Sequence, residues 1–95
     1  MTANQELERL LSLLGGDRAL LEQLREAGFL PKDDDSIAAE HVEVARIAYT
    51  LVHELEVNWA GVEVALHLRS RLVAVETQMA ELIVFVKQRS RGQAP

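Results

Sequence analysis

The sequence contains no cysteine and few aromatic residues, and both absences narrow what the chain is able to do. Without cysteine the chain forms no disulfide and performs no thiol chemistry, which is compatible with an intracellular setting. Aromatic residues make up 4% of the chain, whereas hydrophobic residues as a whole make up 48%. The core must therefore consist mainly of leucine, valine and alanine side chains.

The sequence also lacks long apolar runs and the alternation of residues that marks β-strands. No apolar run approaches the roughly 20 residues that cross a bilayer, and the first residues lack the basic-then-apolar order of a secretion signal. We therefore expect a soluble, cytoplasmic protein that does not enter a membrane. Helix-forming residues dominate, so the chain is predicted to be all-α, and its 95 residues make one small domain with a marginal core.

A single long helix, predicted for residues 58–90, organises the chain. Its apolar residues recur in alternating steps of three and four, which is the spacing of the a and d positions of a coiled coil. The residues on this seam are Ala65, Leu68, Leu72, Val75, Met79, Leu82 and Val86. A second apolar line widens the stripe on one flank, and the helix is therefore expected to meet two different neighbours. This flank consists of Val62, Leu66, Val73, Ala80 and Ile83.

The length of this helix predicts a homodimer. At 1.5 Å per residue the helix is roughly 45–50 Å long, whereas a compact chain of this size has a radius of gyration of about 12 Å. The far half of the helix therefore projects from its own domain, and burial of each seam side chain against a partner contributes about 1.5–3 kcal/mol. We expect a second copy to cover the seam. An antiparallel pair is favoured, although the charges beside the seam do not fix the direction.

Residues 1–57 are predicted to form a head with the outline of a helix-turn-helix. Two short helices carry apolar faces and are separated by Gly15 and Gly16. Gly28 and Pro31 end the second helix, because glycine accepts the left-handed backbone of a helix end and proline cannot continue a helix. Two helices joined by a tight glycine turn are typical of this motif.

The rest of the head is predicted to consist of a short acidic wing and a third helix. Residues 32–35 are a polar link with no signal of regular structure, and we interpret Ser36 and Ile37 as the return of a small hairpin or wing, with Ile37 as its anchor. The third helix is predicted for residues 39–55, with Leu55 as the last residue of its buried stripe. Beyond the long helix, residues 91–95 are expected to be disordered.

The candidate catalytic and metal-binding residues form no known pattern. Of the three histidines, His53 begins a sequence like that of the zinc proteases, but valine stands where the second histidine ligand belongs. The serines have no histidine at a catalytic spacing, and no glycine-rich phosphate loop is present. We therefore expect no enzymatic activity, no metal and no cofactor.

Two features suggest contact with another protein. The run of three aspartates in the wing lacks the alternating ligands and the glycine of a calcium loop, so it is either a solvated turn or a contact for a basic protein surface. The only tryptophan, at the start of the long helix, is either a packing wedge between helices or an interface anchor. The candidate partner-binding residues are Asp33, Asp34, Asp35, Glu40, Glu43 and Trp59.

The distribution of charge separates a protein partner from a nucleic acid. The net charge is −5, and residues 1–45 hold ten acidic and four basic side chains, whereas residues 46–95 hold five acidic and six basic ones. A helix-turn-helix that binds DNA needs lysine and arginine to displace the counterions of the phosphates. The predicted second helix and the wing instead carry an acidic excess, so we expect a duplex to repel the head.

Two segments resemble a known family. Residues 24–31, LREAGFLP, are similar to the end of the second helix in MerR-type winged-helix regulators, which continue with a wing, a third helix and a long dimerising helix. Residues 53–68, HELEVNWAGVEVALHL, resemble the CbpM-type chaperone modulators, which are MerR-like proteins with a tryptophan in the same place. The similarity is close over residues 45–75 and looser over residues 20–45.

The resemblance implies a function in the control of a chaperone. Members of the CbpM group are implied to bind the J-domain of a DnaJ-type co-chaperone of the CbpA group and to inhibit its stimulation of Hsp70. The J-domain acts through a basic helix, and an acidic head suits that helix. Two alternatives stay open: a MerR-type DNA-binding transcriptional regulator, and a structural dimerisation module with no inhibitory role.

Overall fold

Four α-helices and one π-helical turn form the fold. The computed structural model of the chain describes residues 2–32 and 36–93, with the side chains of residues 5–32 and 36–91. The helices are α1 (Thr2–Leu13), α2 (Arg18–Glu26), α3 (Ala39–Tyr49) and α4 (Trp59–Gln93), and the π-helical turn Thr50–Glu54 directly follows α3. The residues so described include no β-strand. The prediction of an all-α chain with a long last helix is confirmed.

Both short helices end at a glycine whose backbone is left-handed. Helix α1 ends at Gly15, where φ is 68°, and the N–H of Gly16 donates a 2.9 Å hydrogen bond to the carbonyl of Leu11. Helix α2 ends in the same way at Gly28, where φ is 86°. This geometry satisfies the last carbonyls of each helix and lets the chain reverse within two residues.

Gly15→Ala is expected to lower the free energy of unfolding more than Gly16→Ala does. Both changes place alanine at a positive φ, 68° and 77°, which costs about 1–2 kcal/mol. A Cβ at Gly15 would also lie 2.8 Å from Cε2 of Tyr49, whereas nothing lies within 4 Å of a Cβ at Gly16. Displacement of the Tyr49 ring adds about 1 kcal/mol to the loss. Urea unfolding of both variants at one protein concentration measures this difference, and equal losses would contradict the contact.

The core of the head lies where α1, α2, α3 and the first turns of α4 meet. Its buried residues are leucine, valine and alanine, as the composition predicts. They are Leu10, Leu14, Leu20, Leu21, Leu24, Leu30, Val44, Ala45, Ala48, Val62 and Leu66. Burial of each leucine or valine stabilises the head by about 1.5–3 kcal/mol. The head therefore has its own core, to which α4 contributes only its first turns.

The π-helical turn overturns one prediction about the third helix. The N–H of Leu55 donates a 2.9 Å hydrogen bond to the carbonyl of Thr50, five residues earlier. A π turn holds one residue more than an α-helical turn, so it rotates the following side chains off the face that a period of 3.6 predicts. Leu55 is 63% exposed, and its predicted place in the buried stripe was wrong.

A polar contact joins this turn to the start of α2. Oδ1 of Asp17 accepts a 3.0 Å hydrogen bond from the N–H of Leu20 and so caps α2. Oδ2 of the same carboxylate lies 2.9 Å from Nε2 of His53, whose ring stacks on Tyr49 at 5.1 Å between centroids. The geometry places the proton of the neutral imidazole on Nε2, since the carboxylate only accepts. His53 therefore holds the turn against α2.

The ends of α4 and the wing differ in part from their predictions. Oδ1 of Asn58 accepts a 2.9 Å hydrogen bond from the N–H of Gly61, which is the expected cap of the helix. At the other end α4 continues to Gln93, so residues 91–93 are helical where disorder was predicted.

The predicted hairpin has no strand among the described residues of the wing, and residues 33–35 lie outside the described part of the chain.

Helix α4 projects far beyond the head. It has 35 residues and is therefore about 50 Å long. The chain measures 61 × 34 × 20 Å, and its radius of gyration is 17.8 Å, against about 12 Å for a compact chain of this length. Of the described elements, α3 and the π-helical turn are the ones that contact α4. The projecting part is thus a single helix with a bare surface.

Candidate interaction surfaces

The seam lies on one open face of the projecting helix. Its first residue, Ala65, is partly buried at the edge of the head. The six larger seam residues are each at least half exposed, with Leu68 and Met79 at 59%. They form a line of aliphatic side chains along the outer two thirds of α4. A face of this kind is unusual for a monomeric protein, which seldom leaves so long an apolar line in water.

The flank beside the seam is buried at its near end, within the head, and exposed to water at its far end. Val62 and Leu66 lie in the core of the head, whereas Val73 and Ile83 are about half exposed. The near half of the flank thus has a neighbour within the chain, and the far half has none among the described residues. At 100° per residue, Val84 continues the line of Val62 and Leu66 more closely than Ile83 does. The sequence analysis missed Val84.

The far end of α4 is apolar on every side. We call the five consecutive residues Leu82–Val86 the apolar tip, and each of them is 51–59% exposed. Five successive positions at 100° steps cover the whole circumference of a helix. A helix that is apolar all round is normally buried, so a single neighbour along the seam leaves part of the tip uncovered. Phe85, outside the seam, lies under the guanidinium of Arg89 at 5.6 Å.

Two of the predicted acidic contacts lie on the first turns of α3. Glu40 and Glu43 are both exposed, and the side chain of Glu40 is 75% exposed. Oε1 of Glu43 lies 3.9 Å from Arg46, which offsets part of its charge. Oε1 of Glu40 lies 3.8 Å from Nε2 of His41. The other acidic candidates, Asp33, Asp34 and Asp35, lie outside the described residues.

His41 has a structural role beside Glu40. Its Nδ1 accepts a 2.8 Å hydrogen bond from the N–H of Ala38 and so caps the start of α3. This bond requires an unprotonated Nδ1, and the proton of the neutral ring therefore lies on Nε2, toward Glu40. Together with His53, this residue accounts for two of the three histidines as helix-end contacts.

The third histidine belongs to an aromatic cluster at the start of α4. Phe29 meets Trp59 edge to face with 6.5 Å between ring centroids, and it meets His67 in the same manner at 5.0 Å. Trp59 is partly buried and packs against the core, as a wedge between helices does. His67 is exposed, so one edge of the cluster faces water. The role of Trp59 as an interface anchor stays a prediction, and the sequence analysis missed Phe29 and His67.

Two open clefts lie beside these surfaces. One, of about 380 Å³, runs between α1 and α3 and is lined by Glu6, Arg9, Glu43 and Arg46 together with apolar residues. The other, of about 180 Å³, lies next to the aromatic cluster and is lined by Glu40, His41, Val44, Arg69 and other residues. Within residues 5–32 and 36–91, no three or more histidine and acidic side chains converge as metal ligands do.

None of the helices in the described part of the chain combines the length and the hydropathy that crossing a membrane requires. Comparison of the chain with protein-family models, with curated proteins and with solved structures gave no match.

Proposed function

We propose that the chain is a dimeric adaptor that binds the J-domain of a DnaJ/CbpA-type co-chaperone and inhibits its stimulation of Hsp70. The observation that carries the proposal is the division of the chain into a projecting apolar helix and a head with an acidic excess. The exposed apolar seam of the helix favours contact with a second copy of the chain. The acidic excess of the head favours contact with a basic protein. The resemblance of residues 53–68 to the CbpM group supports the choice of partner.

The energetics of the seam support the dimer. A pair of chains would bury twelve large seam side chains, six from each copy, that are at least half exposed in one chain. Covering each of them contributes about 1–2 kcal/mol. The loss of translational and rotational freedom opposes association by about 4–15 kcal/mol. The summed gain of about 12–24 kcal/mol exceeds this cost over most of the range, so burial of the seam favours association.

The surface of the head supports a basic partner. The exposed carboxylate of Glu40 lies at the cleft beside Phe29, so that charge and apolar surface are adjacent. An exposed carboxylate beside an apolar surface attracts a basic helix and raises its rate of association, and Arg69 on the same cleft offsets part of that charge. In the sequence, Asp33, Asp34 and Asp35 add three acidic residues shortly before Glu40. The proposed mechanism of inhibition is steric: the adaptor covers the basic helix of the J-domain, and the J-domain is then unable to bind Hsp70.

The exposed charges of α2 disfavour the alternative of a DNA-binding regulator. In a helix-turn-helix this helix enters the major groove. Its exposed charged residues are Arg18, Glu22 and Glu26, so the surface that would approach the duplex is net negative. Such a surface releases no counterions from DNA.

The proposal is tested with the isolated J-domain of a DnaJ-type co-chaperone. At low ionic strength we expect the purified chain to co-elute with the J-domain on size exclusion, and we expect added salt to dissociate the complex. The same addition should lower J-domain-stimulated ATP hydrolysis by Hsp70. A DNA duplex at the same ionic strength tests the alternative function and should not bind. A chain that leaves the J-domain free at low salt would refute the proposal.

A further inference from the structure

The segment that links α3 to α4, residues 50–57, holds two conformations that are unfavourable by themselves. We call this segment the joint. Glu56 has a φ of 55°, a left-handed backbone that is unfavourable for residues other than glycine. The π-helical turn before it is a rare geometry that is frequently found at functional sites. Because such conformations persist only where surrounding contacts enforce them, the joint requires support from the rest of the head.

The hydrogen bonds of the joint differ from those of an ordinary helix end. Where a helix ends at a left-handed residue, the next N–H commonly donates to the carbonyl five residues earlier. Here the N–H of Val57 donates a 2.8 Å bond to the carbonyl of Leu51, six residues earlier. The N–H of Leu55 also reaches one residue farther than in an α-helix, to Thr50. An α-helical register, with each bond one residue shorter, is the alternative for the joint.

Burial of Leu55 favours that alternative register. Leu55 follows the buried Ala48 by seven residues, and at 100° per residue it would lie within about 20° of the same helix face. In the π-helical register Leu55 is instead 63% exposed. The hydrophobic effect thus opposes the observed register, and another contact must favour it.

His53 makes the contacts that favour the observed register. Its Nε2 lies 2.9 Å from Oδ2 of Asp17, and its ring stacks on Tyr49. Nε2 carries a proton both in this neutral tautomer and in the charged ring, so the contact with the carboxylate forms in either state. An α-helical register would turn His53 away from Asp17, because each residue then advances by more about the helix axis than in a π turn.

Both partners of His53 are fixed by the turn between α1 and α2. Oδ1 of Asp17 accepts the hydrogen bond from the N–H of Leu20 that caps α2. The ring of Tyr49 lies against Gly15, where an added Cβ would be 2.8 Å from Cε2 of the ring. The contacts of His53 therefore attach the joint to a part of the head that is itself held in place.

We infer that His53 is a positioning residue, whose contact with Asp17 selects the π-helical register of the joint and so fixes the position of α4 on the head. Residues of α3 and of α4, among them Glu40 and Arg69, line the cleft beside the aromatic cluster, and His53 is not one of the lining residues. The register of the joint thus determines how groups that His53 does not touch are placed. This inference concerns a single chain and depends neither on the dimer nor on the J-domain of the proposed function.

Because the chain has no cysteine, a pair of spin labels reports the position of α4 directly. The labels are attached at Glu22→Cys on α2 and Thr77→Cys on α4, both exposed positions. Mixing with an excess of unlabelled chain restricts double electron–electron resonance to distances within one chain. The parent is expected to give one narrow distance. In the His53→Ala background we expect a broader distribution with a second distance, from chains in the α-helical register.

Three variants separate positioning from a general loss of stability. Asp17→Ser keeps a capping oxygen for Leu20 but does not reach His53, so it should behave like His53→Ala. His53→Gln keeps an N–H donor at a similar reach and is expected to restore the single distance. His41→Ala removes the histidine that caps the other end of α3, and it should leave the distance unchanged.

Amide hydrogen exchange provides a second measurement that needs no label. The N–H groups of Leu55 and Val57 form the bonds that define the register. In Asp17→Ser their protection should fall several-fold relative to that of Ala48, which lies within α3.

The outcomes decide the inference independently of the proposed function. A second distance in His53→Ala and Asp17→Ser, absent from His53→Gln and His41→Ala, supports it. An unchanged distance in a folded His53→Ala chain overturns it, as does equal broadening in His41→Ala. If His53→Ala does not fold, unchanged relative protection in Asp17→Ser overturns it. A monomeric chain, or a J-domain that does not bind, contradicts the proposed function and leaves these distances as expected.

Discussion

Leu72→Glu is expected to convert the dimer into a folded monomer. The substitution places a carboxylate in the centre of the apolar seam, and the two-fold symmetry does so on both copies. An unpaired charge in such an interface costs about 3–5 kcal/mol, so the dissociation constant should rise at least about a hundredfold. The head should stay folded, since Leu72 is 58% exposed and lies outside its core. Size exclusion with light scattering gives the mass, and circular dichroism gives the helix content.

Thr77→Glu is the matched control for this variant. Thr77 lies on the opposite side of α4, where its hydroxyl donates a 3.0 Å hydrogen bond to the carbonyl of Val73. The same charge on the same helix should therefore leave the dimer intact. Met79→Glu, on the seam, should behave like Leu72→Glu. If the seam variants stay fully dimeric while retaining their helix content, the interface lies elsewhere.

Glu40→Lys is expected to weaken binding of the J-domain by about 1–2 kcal/mol, or roughly five- to thirtyfold, at low salt. The change reverses the sign of an exposed carboxylate at the cleft beside the aromatic cluster. The effect should shrink as salt is added, because screening reduces interactions between exposed charges. Isothermal titration calorimetry at two ionic strengths measures both quantities.

Glu81→Lys controls for the change in net charge. Glu81 is exposed on α4, far along the helix from the head, so its reversal alters the total charge equally but leaves the cleft unchanged. We expect less than about a twofold loss of affinity for this variant. Equal losses in both variants would mean that net charge alone drives binding and that Glu40 marks no specific surface.

The helices were predictable because their signals are local and repeated. The seam from Leu68 to Val86 follows one period without interruption, and a helix of that length needs no tertiary contact to be recognised. Gly15 and Gly28 ended their helices as expected, since a left-handed backbone position strongly favours glycine. The projection of the far half of α4 beyond the head also followed from helix length alone.

The wrong and missing predictions concern residues whose environment depends on a second structural element. A sequence pattern assumes 3.6 residues per turn, so it placed Leu55 in the core and did not foresee the π-helical turn that exposes it. The contacts of Asp17 with His53 and of Phe29 with His67 join residues that are more than 30 positions apart. No spacing rule within one helix indicates such pairs. They depend on how the helices meet in the head.

In the proposed adaptor, the seam serves assembly and the region around Glu40 serves recognition of the partner. The seam and the apolar tip have no charge of their own, so salt should not weaken the contact along the seam. The region around Glu40 is charged, so its contact with a partner should be sensitive to salt. An adaptor of this kind stays assembled under conditions in which it releases its partner.

Sedimentation equilibrium of the unmodified chain tests the central claim most directly, because an uncovered α4 is the feature from which the rest of the account proceeds. At micromolar concentration the account predicts a single species of twice the 10.6 kDa chain mass. A single species of 10.6 kDa with full helix content would contradict it.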